Sequence, residues 1–110
     1  MIEIVLLKYL ESKLAVDVLT EQSNDKDEFV TIEKIGGGRT NFLFTSTFAI
    51  QSYSTSKLNA ARLNELVIQM MDGLIELNEI SKVKLNNYYD FTDTETKRYR
   101  YQAIFEITHY

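Results

Sequence analysis

The chain of 110 residues contains no cysteine and no proline. Without cysteine it has no disulfide, no thiolate metal ligand and no cysteine nucleophile. Without proline, no rigid proline-rich linker marks a boundary between domains. The length suits one ordinary domain, so we expect residues 1–110 to form a single folded unit.

Basic residues are scarce relative to acidic ones. Lys and Arg number 12 against 16 Asp and Glu, which gives a net charge of -4 and a pI of about 5.0. A protein that grips nucleic acid usually has a basic surplus, because its cations displace counterions from phosphates. No apolar run approaches the roughly 20 residues that span a bilayer, and Glu3 lies where a signal peptide would be basic. We therefore expect a soluble, intracellular protein without membrane contact.

Residue types that carry chemistry are few and isolated. The one histidine, His109, is the penultimate residue, and no serine or aspartate motif accompanies it. Asp90, Asp93 and Glu95 are the densest carboxylates, but their stretch lacks the turn glycine and distal glutamate of a calcium loop. We expect a structural histidine and a solvated acidic loop, with no catalytic residue, no metal site and no cofactor.

The stretch KIGGGRTNFLFTSTFAIQSYS, from Lys34 to Ser54, poses a choice between a phosphate-binding loop and a turn. A phosphate loop needs a helix after its glycines, whereas here the residues from Phe42 to Gln51 alternate with the period of a strand. The preceding segment, Phe29 to Ile35, is also strand-like. The pattern predicts a hairpin whose turn contains the glycines, with Arg39 at its tip.

Two helices are predicted from apolar spacing. The first covers MIEIVLLKYLESKL at the start of the chain, and a brief strand from Val16 to Leu19 and a polar loop from Glu21 to Glu28 follow it. The second begins at Ser54 or Ser56, either of which can cap it. Its core stripe is expected to consist of Leu63, Leu66, Val67, Met70, Leu74 and Leu77. Further apolar residues widen this stripe beyond a normal surface helix, which favours either deep burial against a sheet or cover by another subunit; they are Ala60, Ala61, Ile68, Met71 and Ile75.

In the last third of the chain, the residue pattern predicts two strands joined by a polar loop from Asp90 to Lys97. In RYRYQAIFEITHY, one face holds Tyr99, Tyr101, Ala103, Phe105, Ile107 and His109, and the other holds mainly Arg98, Arg100, Gln102, Glu106 and Thr108. Because the arginines alternate with the tyrosines beside them, KRYRY does not form a single basic and aromatic platform for nucleic acid. The predicted fold class is α+β, in the order α-β-β-β-α-β-β, with a mainly antiparallel sheet and two helices on one face.

Four stretches, MIEIVLLKYLESKL, FVTIEKIGGGRTNFLFTSTFAIQSYS, AARLNELV and YDFTDTETKRYRYQAIFEITHY, carry a resemblance to a known family. Together they resemble the tail terminator, or tail completion, proteins of long-tailed phages and prophages of Gram-positive bacteria. The likeness runs over nearly the whole chain in the same order. The resemblance implies a structural protein that forms a ring, usually hexameric, on the finished tail tube, stops tube polymerisation and provides the docking surface for the head.

The same resemblance implies the partners and the location. The partners would be further copies of this chain, the tail tube protein and a head-completion or neck protein, with DNA only passing through the lumen. The protein would act in the host cytoplasm during assembly and then at the head-proximal end of the virion tail. A head-closure or neck role in the same virion stays open as an alternative, and a small nucleic-acid-binding regulator is a more distant one.

A ring subunit needs two different contact patches. We expect them to come from the hairpin strand Phe42–Tyr53, which could pair across a subunit boundary, and from spare apolar helix surface. We also expect the hairpin tip and the loop from Asp90 to Lys97 to be mobile in the free protein and ordered in the assembly. The candidate contact residues are Gly37, Gly38, Arg39, Asn41, Ile68, Met71, Ile75, Asp93, Glu95 and Arg98.

Overall fold

The computed structural model describes all residues from Met1 to Tyr110. The elements are α1 (Ile2–Lys13), β1 (Asp17–Leu19), β2 (Phe29–Thr40), β3 (Leu43–Ser54), α2 (Lys57–Met71), a 3-10 turn (Asp72–Glu76), β4 (Ile80–Asp90) and β5 (Tyr99–His109). The strands form one sheet in the order β1-β2-β3-β5-β4, in which only β1 and β2 are parallel. The α+β prediction and its element order are confirmed.

Both helices cover the same face of the sheet. Apolar residues of α1 and α2 form one buried cluster with alternate residues of the strands, such as Ile32, Ile50 and Ala103, which are cross-strand neighbours. Burial of apolar side chains on one sheet face is the main source of stability in such a two-layer fold. The opposite face, which has no helix over it, is called the open face below. Neither helix has the length and apolar character needed to span a bilayer.

Helix α2 is capped as predicted but is rotated relative to its predicted stripe. The Ser56 hydroxyl accepts a hydrogen bond from the Asn59 N–H at 3.1 Å, which satisfies one free donor of the first turn. Leu66, predicted to be in the core, is 37% exposed, whereas Asn64 is buried. The small side chain of Ala60 lies on the same helical line as Asn64, so the contact line with the sheet follows these residues. The buried residues of α2 are Ala60, Leu63, Asn64, Val67 and Met71.

The β2–β3 hairpin exists as predicted, but the glycines do not form its turn. Thr40 pairs with Leu43, so the turn consists of Asn41 and Phe42 alone. Asn41 has a φ of 58°, a conformation that asparagine tolerates better than most residues, so the turn needs no glycine. The predicted glycine turn is therefore wrong, and Gly36–Gly38 lie within β2 opposite Thr45–Thr47 of β3.

Strand β3 lies in the interior of the sheet. It pairs with β2 on one side and with β5 on the other over nearly its whole length. The expectation that this strand pairs across a subunit boundary is therefore wrong, because its backbone groups are already bonded within the chain. Strand order is a tertiary property, and the alternation of apolar residues in β3 does not reveal which side of it remains free.

The two faces of β5 are those predicted from its alternation. Ala103, Phe105 and Ile107 are buried under the helices, while Arg100 and Gln102 lie on the open face with side-chain partners there. In β4, Val83 and Leu85 face the helices, and Lys82 and Lys84 are exposed. The sheet therefore has an apolar face under the helices and an open face of mostly polar residues.

Candidate functional site

The distal half of β2 is an unpaired sheet edge. Strand β1 pairs only with Phe29–Thr31, so nothing covers the outer side of β2 beyond that point. Every residue from Glu33 to Thr40 is exposed. This segment, called the β2 edge below, offers backbone N–H and C=O groups that can pair with another strand.

Two of the three glycines of the β2 edge, Gly36 and Gly38, are not required by the chain's own packing. None of the four glycines of the protein has a positive φ. A Cβ added to Gly38 would meet no atom within 4 Å, and one added to Gly36 would make only ordinary contacts with Thr47. Gly37 is slightly tighter, because its Cβ would lie 3.3 Å from the Thr45 carbonyl oxygen. Glycine within a strand often marks a bulge, and the register of β2 with β3 shifts between Lys34 and Gly36. It also marks positions where another backbone or a ligand approaches closely.

The predicted tip residues lie together at one end of the molecule. Gly37, Gly38, Arg39 and Asn41 are all exposed in the distal hairpin. Arg39 lies over the ring of Phe44, with its Cζ 5.2 Å from the ring centroid. Phe42 in the turn is 82% exposed, the highest value among the exposed large apolar residues of the chain, so the tip is a candidate contact surface.

Strand β4 is the second unpaired edge, on the opposite side of the sheet. It is the last strand in the sheet order, so only its β5 side is paired. A groove of about 320 Å³ separates its first half from α2 and the 3-10 turn. Asp72 and Lys82 lie on the rim of this groove, and its apolar lining is Ile68, Ile75, Val83, Leu85 and Phe105.

Two of the three apolar contact candidates on the second helical segment border this groove. Ile68 is half-buried and Ile75 is exposed, and both line it. Met71, in contrast, is fully buried in the core. Its prediction as a contact residue is wrong, because α2 turns Met71 toward the sheet and leaves no surface for a partner.

The loop between β4 and β5 is held by its own hydrogen bonds. Asp90 accepts bonds from the N–H and hydroxyl of Thr92, and Lys57 lies 3.0 Å from its carboxylate. Bonds from Thr92, with a smaller effect of Lys57, lower the pKa of Asp90. Asp93 accepts from the Glu95 N–H at 3.0 Å, and bonds from Thr96 and Glu95 lower the pKa of Asp93. The carboxylates therefore shape turns of this loop.

Arg98 joins this loop to the segment between β1 and β2. Its guanidinium donates to the Ser23 carbonyl at 2.8 Å and lies over the rings of Phe29 and Tyr53, 5.4 Å from each centroid. Those two rings are stacked on each other, with centroids 4.4 Å apart. Of the predicted contact residues in this region, Glu95 is exposed, whereas Asp93 and Arg98 are half-buried and bonded within the chain.

The arginines of KRYRY do meet aromatic rings, although not those of their neighbouring tyrosines. Arg100 lies over Phe91, with its Cζ 4.6 Å from the centroid, and donates to the Tyr53 hydroxyl at 3.0 Å. The predicted alternation of Arg98 and Arg100 with Tyr99 and Tyr101 is confirmed, and the rings beside the arginines come from other segments. Because these guanidinium groups already have bonding partners, they form an internal clamp more readily than a platform for bases.

A row of polar side chains crosses four strands of the open face. The Thr31 hydroxyl donates to Gln51 Oε1 at 3.2 Å, Gln51 Nε2 donates to Gln102 Oε1 at 2.6 Å, and Gln102 Nε2 donates to the Tyr89 hydroxyl. Such a connected network holds the register of neighbouring strands. Sequence reasoning missed it because each member alternates with apolar residues and none stands out alone.

His109 is buried at the end of β5. Its Nε2 lies 2.8 Å from the Ser46 hydroxyl, and its ring stacks near Phe44. Ser46 is 1% exposed, whereas the His109 ring also borders a cavity of about 480 Å³ whose lining includes Lys34, Phe44 and Glu79. No group of three or more His, Asp and Glu side chains is arranged to hold a metal ion.

Comparison with known proteins adds no family to these observations. No family model matches the chain, and no curated protein is significantly similar to it.

Proposed function

We propose that this chain is a structural phage tail protein that caps the finished tail tube as a ring, stops its polymerisation and provides a docking surface for the head. The proposal starts from the resemblance of four sequence stretches, taken together, to tail terminator proteins. Two observations support it. The sheet has free edges that other subunits could contact. Asp90, Asp93 and Arg98, which the sequence patterns singled out, are hydrogen-bonded within the chain.

The observation that carries the proposal is the pair of unlike free edges. A closed ring uses head-to-tail contacts, in which one patch of a subunit meets a different patch of the next. The β2 edge and β4 lie on opposite sides of one sheet. A sheet whose two edge strands were both short or covered would not offer two such contact surfaces.

Contacts along the tail axis require two further surfaces. Exposed apolar side chains occur toward both ends of the strands: Phe42 and Tyr110 toward one end, and Tyr88 and Phe91 toward the other. In the proposed ring, one end would bind the last ring of the tube and the other would face the head. The net charge of -4 suits a lumen through which DNA passes without being held.

A nonsense mutation in this gene, within an inducible phage, tests the proposal. Negative-stain electron microscopy of the lysate should show tails of runaway length that are not attached to heads. Tails of normal length beside unattached or leaking heads would instead support the head-closure or neck role. Intact virions would contradict both roles. Expression of the wild-type protein in trans should restore normal tails and serves as the control.

A further inference from the structure

We propose that the β2 edge of one copy adds as an antiparallel strand to the first half of β4, from Ser81 to Asn87, in the next copy. This inference rests on the self-association in the proposed function and names the surfaces that would produce it. The occupant of each edge is a second copy of this chain, and the assembled sheet would continue from subunit to subunit.

Strand direction favours this pairing. Successive neighbours from β2 through β3 and β5 to β4 are antiparallel, so β4 runs opposite to β2. A copy displaced sideways along the sheet therefore brings its β2 antiparallel to β4 of the first copy. Antiparallel strands pair through backbone bonds without further rearrangement.

The free parts of the two edges also lie at the same level of the sheet. Gly36 is in line with Thr47, Glu106 and Lys84, and Gly38 is in line with Thr45, Thr108 and Lys82. The part of β2 that β1 covers is instead in line with the other end of β4, since Thr31, Gln51, Gln102 and Tyr89 form one row. Tyr89 and Asp90 of β4 reach the level of β1, so β1 of the incoming copy would collide with them unless that copy is shifted by two residues along the strands. This shift pairs Gly38 with Lys84 and places the uncovered part of β2 beside the groove-bearing part of β4.

Shape matches on the open face, where Lys82 and Lys84 of β4 are exposed. Gly36 and Gly38 have no side chains, so they leave room for the long lysine side chains of a neighbouring β4. This role accounts for Gly36 and Gly38, where the isolated chain has room for a Cβ.

Charge also matches on the helix side of the sheet. Lys34 and Arg39 of the β2 edge pair with Phe48 and Phe44, which places them on that side. On the other edge, Asp72 lies on the rim of the groove beside β4. Neither the two cations nor Asp72 takes part in an ion pair within the chain. The two edges therefore present opposite charges to each other on the helix side of the sheet.

Disulfide trapping tests the pairing, since the chain has no cysteine of its own. A Gly38→Cys/Lys82→Cys variant and, for the adjacent register, a Gly38→Cys/Lys84→Cys variant would be oxidised at near-millimolar concentration. Within one chain the two positions are three strand spacings apart, about 14 Å, which is too far for a disulfide. We expect at least one variant to give a ladder of dimers, trimers and larger products on non-reducing gels.

The control pair is Gly38→Cys with Lys8→Cys, which places the second cysteine on the exposed side of α1. Each single variant should stop at dimers.

A ladder no stronger than that of the control pair, in both registers, would overturn the inference. If the nonsense mutant gives runaway tails while no ladder forms, the proposed function stands and this interface is wrong. If a ladder forms but virions are intact, the interface stands and the tail function fails.

Charge exchange gives an independent test. Asp72→Lys should weaken self-association, measured by sedimentation at low salt, and adding Arg39→Glu should restore it. For an exposed ion pair, the weakening should be roughly two- to fivefold. Leu58→Lys adds a base on an exposed part of α2 and serves as the control. Loss of association with no recovery in the Arg39→Glu/Asp72→Lys variant, or no loss at all, would argue against the pairing.

Discussion

The two halves of β2 differ sharply although they belong to one strand. Phe29–Ile32 are all buried, whereas Glu33–Thr40 are all exposed. The first half is covered by β1 at its edge and by Arg98 over the ring of Phe29. The second half has neither an edge partner nor a cover. The chain thus completes one half of the strand by itself and leaves the other half available to a neighbour.

This difference assigns separate roles to residues of the same type. Arginines, phenylalanines and glycines occur both in regions bonded within the chain and at the free edge or its tip. Residues of the first kind should determine stability, and those of the second kind should affect assembly. Matched substitutions in the two kinds of position can confirm or break this distinction.

The largest expected effect comes from the phenylalanine pair. Phe29→Ala removes a fully buried ring that is stacked on Tyr53, and it should lower the free energy of unfolding by about 3–5 kcal/mol. Phe42→Ala, at the exposed turn, should change it by less than about 0.5 kcal/mol. Urea denaturation followed by circular dichroism measures both. Equal losses of unfolding free energy in the two variants would contradict the distinction between a buried and an exposed part of the hairpin.

The arginine pair should show a smaller contrast. Arg98→Ala removes bonds to the Ser23 carbonyl and the Asn24 side chain together with two ring contacts. Because the site is partly exposed, the expected loss is about 1–2 kcal/mol in the free energy of unfolding. Arg39→Ala removes only a contact with the Phe44 ring and should cost about 0.5 kcal/mol or less. An Arg39→Ala loss as large as that of Arg98→Ala would contradict this assignment.

The glycine pair should give effects of different sign. A Cβ at position 73 would lie 2.6 Å from the Tyr9 hydroxyl oxygen, which donates to the Met70 carbonyl. Gly73→Ala should therefore displace Tyr9 and cost about 1 kcal/mol. Gly38→Ala has free space and should leave stability unchanged or raise it by about 0.5 kcal/mol. Thermal unfolding of both variants provides the measurement, and a clear loss in Gly38→Ala would show that the monomer needs this glycine.

The smallest expected effect concerns the pH dependence of the β4–β5 loop. The pKa of Asp90 is lowered from its ordinary value of 3.8, chiefly by bonds from Thr92. A lowered carboxylate pKa gives stability that is present above the unfolded value and is lost as the pH falls through the folded one. The difference between wild type and Asp90→Asn should therefore be constant near neutral pH and shrink below about pH 4. A difference that persists unchanged into strong acid would exclude this origin.

The sequence predicted the helices and strands better than it predicted how they lie against one another. Alternation in β5 and apolar spacing in α1 identified both elements, because a buried face imposes its period on the residues. The glycines of β2 were misplaced because glycine suggests a turn, while Asn41 supplied the positive φ that the turn required. The buried position of Asn64 could not be predicted from its polar character.

The free sheet edges could not be predicted from the sequence. Free edges depend on strand order, which long-range packing determines, so the strand first expected to pair with a neighbour is the interior strand β3. The groove beside β4 combines Ile68 and Ile75, which sequence spacing suggested, with Val83 and Leu85 from a distant segment. The exposed part of β2 is partly visible in the sequence, because charged residues and glycines become frequent directly after the four residues that are buried.

The most direct test of the central claim is amide hydrogen exchange, compared between the purified protein and the protein on tails isolated from a lysate. We predict that the amides of the β2 edge that are not bonded to β3 exchange fast in the free protein and become protected on tails, with a similar gain for the amides of Ser81–Asn87 that are not bonded to β5. Amides of Phe29–Ile32 should be protected in both states. Equal protection of the β2 edge before and after assembly would contradict the claim that this half of the strand is completed by a neighbour.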